Sequence, residues 1–166
     1  EIEAIPLRLP YENRIRKQYY HFSMVEEHTV YKVHTDTGLI GLGENPGPPF
    51  AQELLDPYLG TDPFDHVMST GIFNLDMACY DLMGKHLGVP AWKVMGQQRR
   101  QWVNMGWWMP CMSPEDSAAE VAIAAERGYR GLKCKARAFH DVVEQAQAMN
   151  EAAPPDFRVE FDFNGS

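Results

Sequence analysis

The chain is poor in cysteine, and its few cysteines lie far apart. Cys79, Cys111 and Cys134 form no C-x-x-C pair, so neither a disulfide framework nor a zinc knuckle is expected. Reduced thiols are typical of cytoplasmic proteins, and we expect that location. No apolar run approaches the length of a membrane span, and the acidic start of the chain lacks the charged and apolar regions of a signal peptide.

Basic residues are also scarce. Lysine and arginine number 15 against 23 aspartates and glutamates, which gives a formal net charge of −8. Nucleic acids and anionic membranes bind basic surfaces, so neither partner is expected. Hydrophobic residues, by contrast, make up 45% of the 166 residues, enough for the core of one ordinary domain or two small ones.

The first hundred residues show the pattern of an antiparallel meander followed by helices. Alternating residues predict three strands, at 2–9, 29–34 and 39–43. Apolar residues at three- and four-residue steps predict a helix over 70–87 that ends at Gly88. The polar cluster 97–101 is interpreted as a domain boundary. The aromatic and basic segment 10–24 is either a surface loop or a mobile flap.

After this boundary strands and helices alternate. Strands are predicted at 102–109, 129–136 and 158–164, with a helix in each interval. Trp107 and Trp108, in the first strand, are interpreted as core residues, with stacking against a substrate as the alternative. This series predicts parallel strands, in a doubly wound sheet or a (β/α)8 barrel. A closed barrel needs roughly 200 residues or more, so the series is either part of a longer protein or a small open sheet.

Two lysines one residue apart are the strongest chemical signal. Side chains alternate faces along a strand, so Lys133 and Lys135 point the same way. On an interior face the two ammonium groups need an anionic partner, and one of them loses its proton more easily. That arrangement suits a lysine base beside a bound carboxylate. The alternative is a half-exposed strand with two solvated lysines.

The last predicted strand carries polar residues on one face. Asp162 is a candidate ligand for a hard divalent cation, and Asn164 is placed to reach a substrate or a water on the metal. The alternative is a strand that ends in helix-capping residues. Arg137 follows the lysine pair at the same spacing, and is either a surface arginine or a clamp for a carboxylate or hydroxyl of a substrate.

Four stretches, taken in order, match the pattern of one family. They are T-D-T-G-L-I-G-L-G-E at 35–44, L-D-M-A-C-Y-D-L-M-G-K with L-G-V-P over 75–90, G-Y-R-G-L-K-C-K at 128–135 and V-E-F-D-F-N at 159–164. In these stretches the chain resembles the N-terminal part of the enolase superfamily, in its mandelate racemase/muconate lactonizing enzyme branch. The resemblance implies an α+β capping domain over residues 1–100, followed by an incomplete (β/α)8 TIM-type barrel over residues 101–166.

The resemblance also implies a chemistry. Such enzymes bind a substrate carboxylate on Mg²⁺ and remove the proton α to it, forming an enediolate, as racemases, cycloisomerases or acid-sugar dehydratases. Lys135 would be the general base, Lys133 would stabilise the carboxylate and ease proton loss from Lys135, and Asp162 would be the first metal ligand. Asn164 would contact the substrate or lie just behind the residues that do. The resemblance assigns no role to Arg137, so its substrate-binding role rests on its spacing from the lysine pair alone. The segment 10–24 lies where the family has a specificity loop.

The sequence lacks the strands that would bring further metal ligands and an opposite base. We therefore expect the chain to be inactive alone, and the full-length protein to be a homo-oligomer acting on a small carboxylic acid. Two other hypotheses stay open. One is a Schiff-base aldolase in which either lysine is the nucleophile, and the other is a non-catalytic α/β module with solvated lysines.

Overall fold

The computed structural model describes residues 1–18, 25–66 and 72–164. Its elements follow in the order β1 (Ile2–Arg8), α1 (Asn13–Arg16), β2 (Glu27–His34), β3 (Ile40–Pro46), α2 (Gln52–Leu55), α3 (Phe73–Leu87), α4 (Ala91–Met95), β4 (Trp107–Met109), α5 (Pro114–Glu126), β5 (Gly131–Lys135), α6 (Val142–Ala152) and β6 (Arg158–Asp162). The described residues divide into two compact units, one of residues 1–10, 25–66 and 72–101, and the other of residues 11–18 and 102–164. Among them no helix is long and apolar enough to cross a bilayer.

The first unit is built on the predicted meander, which is confirmed. Strands β1, β2 and β3 pair antiparallel in that order, and Gly38 takes a positive φ of 81° in the turn between β2 and β3. Tyr31, at the centre of β2, is fully buried against Leu55 and Leu75. The sheet and the following helices therefore share one core, as an α+β arrangement requires.

Helix α3 packs closely on β3. A Cβ atom at Gly43 would lie 1.8 Å from the backbone oxygen of Asn74, so this approach requires glycine. The helix begins at Phe73 and ends at Gly88, whose left-handed conformation caps it, as the sequence predicts. The start predicted at Thr70 lies outside the described residues.

Side chains of α3 also reach the outer edge of β3. The backbone N–H of Leu42 donates to the Asp81 carboxylate at 2.9 Å. Lys85 Nζ donates to the carbonyl of Ile40 at 2.6 Å and forms an ion pair with Asp81 one helical turn away, at 2.7 Å. Backbone groups that point away from the sheet are thus bonded to the helix.

The second unit holds a parallel sheet in the order β4-β5-β6. Helix α5 begins at Ser113, whose side chain accepts from the Asp116 N–H, and α6 begins at Asp141, whose carboxylate accepts two backbone N–H groups. The two helices share a core with the sheet, formed by Met109, Met112, Val121, Leu132, Cys134 and Met149. The predicted parallel β-α-β-α-β order is confirmed, and its extension into a barrel stays a prediction.

The first strand of this unit is shorter than the sequence predicts. Strand β4 spans only Trp107–Met109, so the prediction is wrong for residues 102–106. The apolar composition of that stretch suggested a buried strand. In the structure Trp102 is 85% exposed, and Val103 and Met105 are also exposed, so this composition does not reflect burial.

Helix α1 packs with the second unit, although the predicted boundary assigned its residues to the first domain. Ile15 is buried in the core of the parallel sheet. Arg14 Nε lies 2.8 Å from the Glu120 carboxylate, and Lys17 Nζ lies 2.5 Å from that of Asp116. Residues 11–18 are therefore anchored on α5, and residues 19–24, the rest of the predicted loop or flap, lie outside the described residues.

Candidate active site

The parallel sheet has one face covered by helices and one face that carries charge. Leu132 and Cys134 in β5 are buried on the helix side, so Lys133 and Lys135 point to the other side. The register sets Lys133 opposite Glu160, and Lys135 opposite Asp162. The period-two alternation seen in the sequence thus places both lysines and both carboxylates on one face.

One carboxylate holds both ammonium groups. Asp162 Oδ2 lies 2.8 Å from Lys133 Nζ and 2.5 Å from Lys135 Nζ. The side chain of Lys133 is 45% exposed and that of Lys135 only 15% exposed. The anionic partner that the lysine pair requires is therefore supplied by the neighbouring strand.

Asn164 completes the cluster from the end of β6. Its Oδ1 accepts from Lys135 Nζ at 2.5 Å, and its backbone N–H donates to Asp162 Oδ1 at 2.9 Å. Its φ of 53° lies in the left-handed region, which asparagine tolerates better than most residues. Lys135 is thereby held from two sides.

The carboxylate of Asp162 determines the charge state of its partners in this cluster. Asp162 raises the pKa of Lys133, first by its hydrogen bond and then by its charge, so Lys133 is not the lysine that readily loses its proton. Hydrogen bonds from Lys133 and Lys135, together with the Asn164 N–H, hold the pKa of Asp162 well below its usual range. Lys133 is a cation and Asp162 an anion at neutral pH.

Arg137 lies just beyond β5. It is half-buried, and its Nη1 donates to the carbonyl of Ala136 at 2.7 Å. A substrate-binding role for Arg137 stays a prediction.

The described residues do not by themselves form a magnesium site. In residues 1–18, 25–66 and 72–164, no group of three or more histidine, cysteine, aspartate or glutamate side chains is placed to hold a metal ion. Magnesium demands about six ligands in octahedral geometry, mostly oxygen atoms. Asp162 offers one carboxylate, and its two oxygens already accept bonds from Lys133, Lys135 and Asn164.

Sequence reasoning missed one residue on the charged face. Trp107 and Trp108 were both interpreted as core, but adjacent residues of a strand point to opposite sides. Trp107 faces the helices, where its Nε1 donates to Glu120 at 2.8 Å. Trp108 is 42% exposed and pairs in register with Lys133. The alternation that located the lysines was the signal that could have located Trp108.

Comparisons with known proteins support the architecture. No family model matches the chain. It is 25% identical over 189 residues to N-succinyl-L-Arg/Lys racemase of Bacillus cereus, a match that covers 98% of this chain and 51% of that protein. Shorter curated matches are an N-succinylamino acid racemase and two sugar-acid dehydratases.

Solved structures give the same result. A dipeptide epimerase from Enterococcus faecalis V583, complexed with Mg and the dipeptide L-Leu-L-Tyr, has a TM-score of 0.71 at 19% identity, covering 99% of this chain and 52% of that one. An enolase superfamily member from Roseovarius nubinhibens ISM has a TM-score of 0.70 at 25% identity, covering 98% and 50%. The chain thus spans about half the length of the Bacillus cereus racemase and of these two solved structures.

These matches define the fold class of the chain. The α+β unit and the parallel β/α unit have the folds found in about half of the dipeptide epimerase and of the enolase superfamily member. The resemblance predicted from the four motifs, to the enolase superfamily in its mandelate racemase/muconate lactonizing enzyme branch, is confirmed.

Proposed function

We propose that the protein containing this chain removes the proton α to the carboxylate of a small acid. The observation that carries the proposal is the cluster in which Lys133, Lys135, Asp162 and Asn164 meet on one sheet face. The curated relatives are racemases and acid-sugar dehydratases, two reaction classes that can both begin with loss of an α-proton, and this supports the proposal.

The two lysines have different roles in this proposal. Lys135, shielded and held by Asp162 and Asn164, is the general base: in its neutral form its Nζ accepts the α-proton. Lys133 keeps its proton, and its positive charge offsets the negative charge that develops on the carboxylate oxygens. Asp162 fixes both nitrogens and so sets the geometry of the transfer.

Magnesium is part of the proposal only as a partner of Asp162. The dipeptide epimerase structure was solved with Mg, which supports magnesium as a cofactor of this protein. The ligand that we assign to it is the carboxylate of Asp162, since magnesium prefers oxygen ligands. Because the described residues supply too few ligands, no step is assigned to the metal, and chain 1–166 alone is expected to show no exchange. Racemisation, cycloisomerisation and dehydration remain alternative outcomes of the same first step.

The test is α-proton exchange in D₂O, followed by ¹H NMR with the full-length protein. A panel of N-acylated amino acids and sugar acids is incubated with magnesium. Exchange is expected with the unaltered protein, loss of it in Lys135→Ala, and slower exchange in Lys133→Ala. Lys93→Ala, on α4 in the first unit, is the matched control and should leave the rate unchanged.

Two results would overturn the proposal. One is exchange that persists in Lys135→Ala, because a different group would then be the base. The other is covalent trapping of a carbonyl substrate on Lys133 or Lys135 by borohydride, which would establish the Schiff-base alternative. If no acid exchanges and no carbonyl is trapped, the lysines belong to a non-catalytic module.

A further inference from the structure

The two neighbouring tryptophans of β4 have separate environments. Trp107 bonds to Glu120 on the helix side and makes an edge contact with Tyr129 at 5.1 Å between ring centres. The guanidinium groups of Arg14 and Arg127 lie over its ring, at 5.9 and 5.1 Å from the ring centre. These contacts account for Trp107 as a structural residue. None of them involves the opposite face, where Trp108 lies.

Trp108 stands in the same row as the candidate base cluster. The parallel register pairs Trp108 with Lys133, and Lys133 with Glu160. Neighbouring strands lie about 4.8 Å apart, so the indole begins beside the Lys133 side chain. The Trp108 residue is 42% exposed.

The face is chemically asymmetric across β5. On the β6 side the lysines meet Asp162 and Glu160, which carry negative charge. On the β4 side the register places Trp108 beside Lys133, and the indole is an apolar plate with a single N–H donor. A substrate with its carboxylate at Lys133 and its α-carbon at Lys135 therefore has an apolar wall on one side and an acidic wall on the other.

We propose that Trp108 is a specificity-determining residue that packs against the substituent of the substrate's α-carbon. This inference rests on the proposed function and names its substrate class. An aromatic or branched apolar substituent buries its surface on the indole, whereas a polyhydroxylated chain gains little there. The class favoured is therefore an acid with an apolar α-substituent, such as an N-acylated aromatic or aliphatic amino acid, over a sugar acid.

The experiment uses the full-length protein and separates binding from turnover. N-acetyl-α-methylphenylalanine has no α-proton and cannot react, so its binding is followed by quenching of tryptophan fluorescence and by calorimetry. The same titration is carried out with Trp108→Phe, Trp108→Ala and the control Trp102→Phe, which alters an exposed tryptophan outside the sheet. Exchange kinetics with N-acetylphenylalanine and gluconate complete the set.

The expected binding result is quenching that is reduced in Trp108→Phe and retained in Trp102→Phe. Trp108→Ala should weaken binding of the phenylalanine analogue about tenfold or more, because an aromatic contact is lost. The KM for N-acetylphenylalanine should rise by a similar factor with kcat changed little, while any activity on gluconate stays within about twofold, since a polar chain makes no such contact.

Equal losses for both acids, or unchanged binding of the analogue in Trp108→Ala, would overturn the inference. The binding result with the unreactive analogue does not depend on whether the protein turns over either acid. If no acid exchanges its proton, the proposed chemistry fails while the binding titration still decides the role of Trp108. If α-proton exchange depends on Lys135 but binding of the analogue is unchanged by substitution of Trp108, only the specificity role of Trp108 fails.

Discussion

Replacing Arg14 with methionine should destabilise the second unit, because it removes the cationic partner of a buried carboxylate. Arg14 Nε lies 2.8 Å from Glu120 Oε1, and the Glu120 side chain is only 3% exposed. Breaking a buried ion pair by removing one partner costs about 3–5 kcal/mol. The Trp107 N–H still donates to the other oxygen of Glu120, so we expect the lower end, about 3 kcal/mol.

Urea denaturation followed by circular dichroism measures the loss in free energy of unfolding. In thermal denaturation, at about 2–4 °C per kcal/mol for a chain of this size, the melting temperature should fall by about 6–12 °C. Glu12→Gln is the matched control, because it removes the other, exposed carboxylate partner of Arg14, and it should cost under about 1 kcal/mol. The double variant Arg14→Met/Glu120→Gln should recover much of the loss, since no buried charge is left unpaired.

The reasoning is refuted by either of two results. If Arg14→Met lowers stability no more than Glu12→Gln, the buried carboxylate does not need Arg14. If the double variant is less stable than Arg14→Met alone, packing of the arginine stem, rather than charge pairing, holds α1 on α5.

Three further outcomes are expected. Burial raises the pKa of Asp116, but hydrogen bonds, led by that from Lys17, outweigh burial and lower the pKa overall. The ionised carboxylate therefore stabilises the fold above the unfolded pKa of about 3.9, and this contribution is lost as the pH falls through the folded pKa. The stability advantage of the unaltered protein over Asp116→Asn should thus shrink on acidification, measured by urea midpoints from pH 7 to 3. Gly43→Ala should lower stability by about 1–3 kcal/mol or more, because its methyl group would collide with the Asn74 carbonyl. Burial raises the pKa of the Cys134 thiol to about 12, so native protein at pH 8 should leave this cysteine unlabelled by a thiol reagent that labels it in denaturant.

Controls keep these outcomes specific. Gly106→Ala places a methyl group no closer than 3.9 Å to its nearest neighbour, so it should be nearly neutral, and an equal loss in both glycine variants would contradict the close-approach argument. If the stability advantage of the unaltered protein over Asp116→Asn grew on acidification, the folded-state pKa of Asp116 would be raised rather than lowered. Rapid native labelling of Cys134 would mean that the thiol is not buried behind the sheet.

The sequence was most informative where one short-range period decides the outcome. Alternation along β5 predicted that Lys133 and Lys135 share a face, and alternation along β6 predicted that Asp162 lies on the polar face of its strand. The parallel register then brings the three side chains together. Helix α1 was not predicted, because four residues carry no helical period and the helix depends on contacts made by Arg14 and Ile15 with distant residues. Local pattern does not contain such contacts.

Composition was a weaker guide than alternation. The stretch 102–106 is apolar, yet Trp102 is exposed and the strand begins only at Trp107. Hydrogen-bond networks were also beyond the sequence: two lysines were expected to need an anion, but only the fold shows that one oxygen of Asp162 serves both.

The hydrogen bonds from α3 to β3 affect how this protein associates with other copies of itself. Unpaired N–H and C=O groups along an outer strand are a template on which a foreign strand can add. Here Asp81 already accepts from Leu42, and Lys85 already donates to Ile40. An incoming strand would have to break both bonds and separate an ion pair before it could dock, so two side chains of one helix protect this edge from strand-by-strand aggregation.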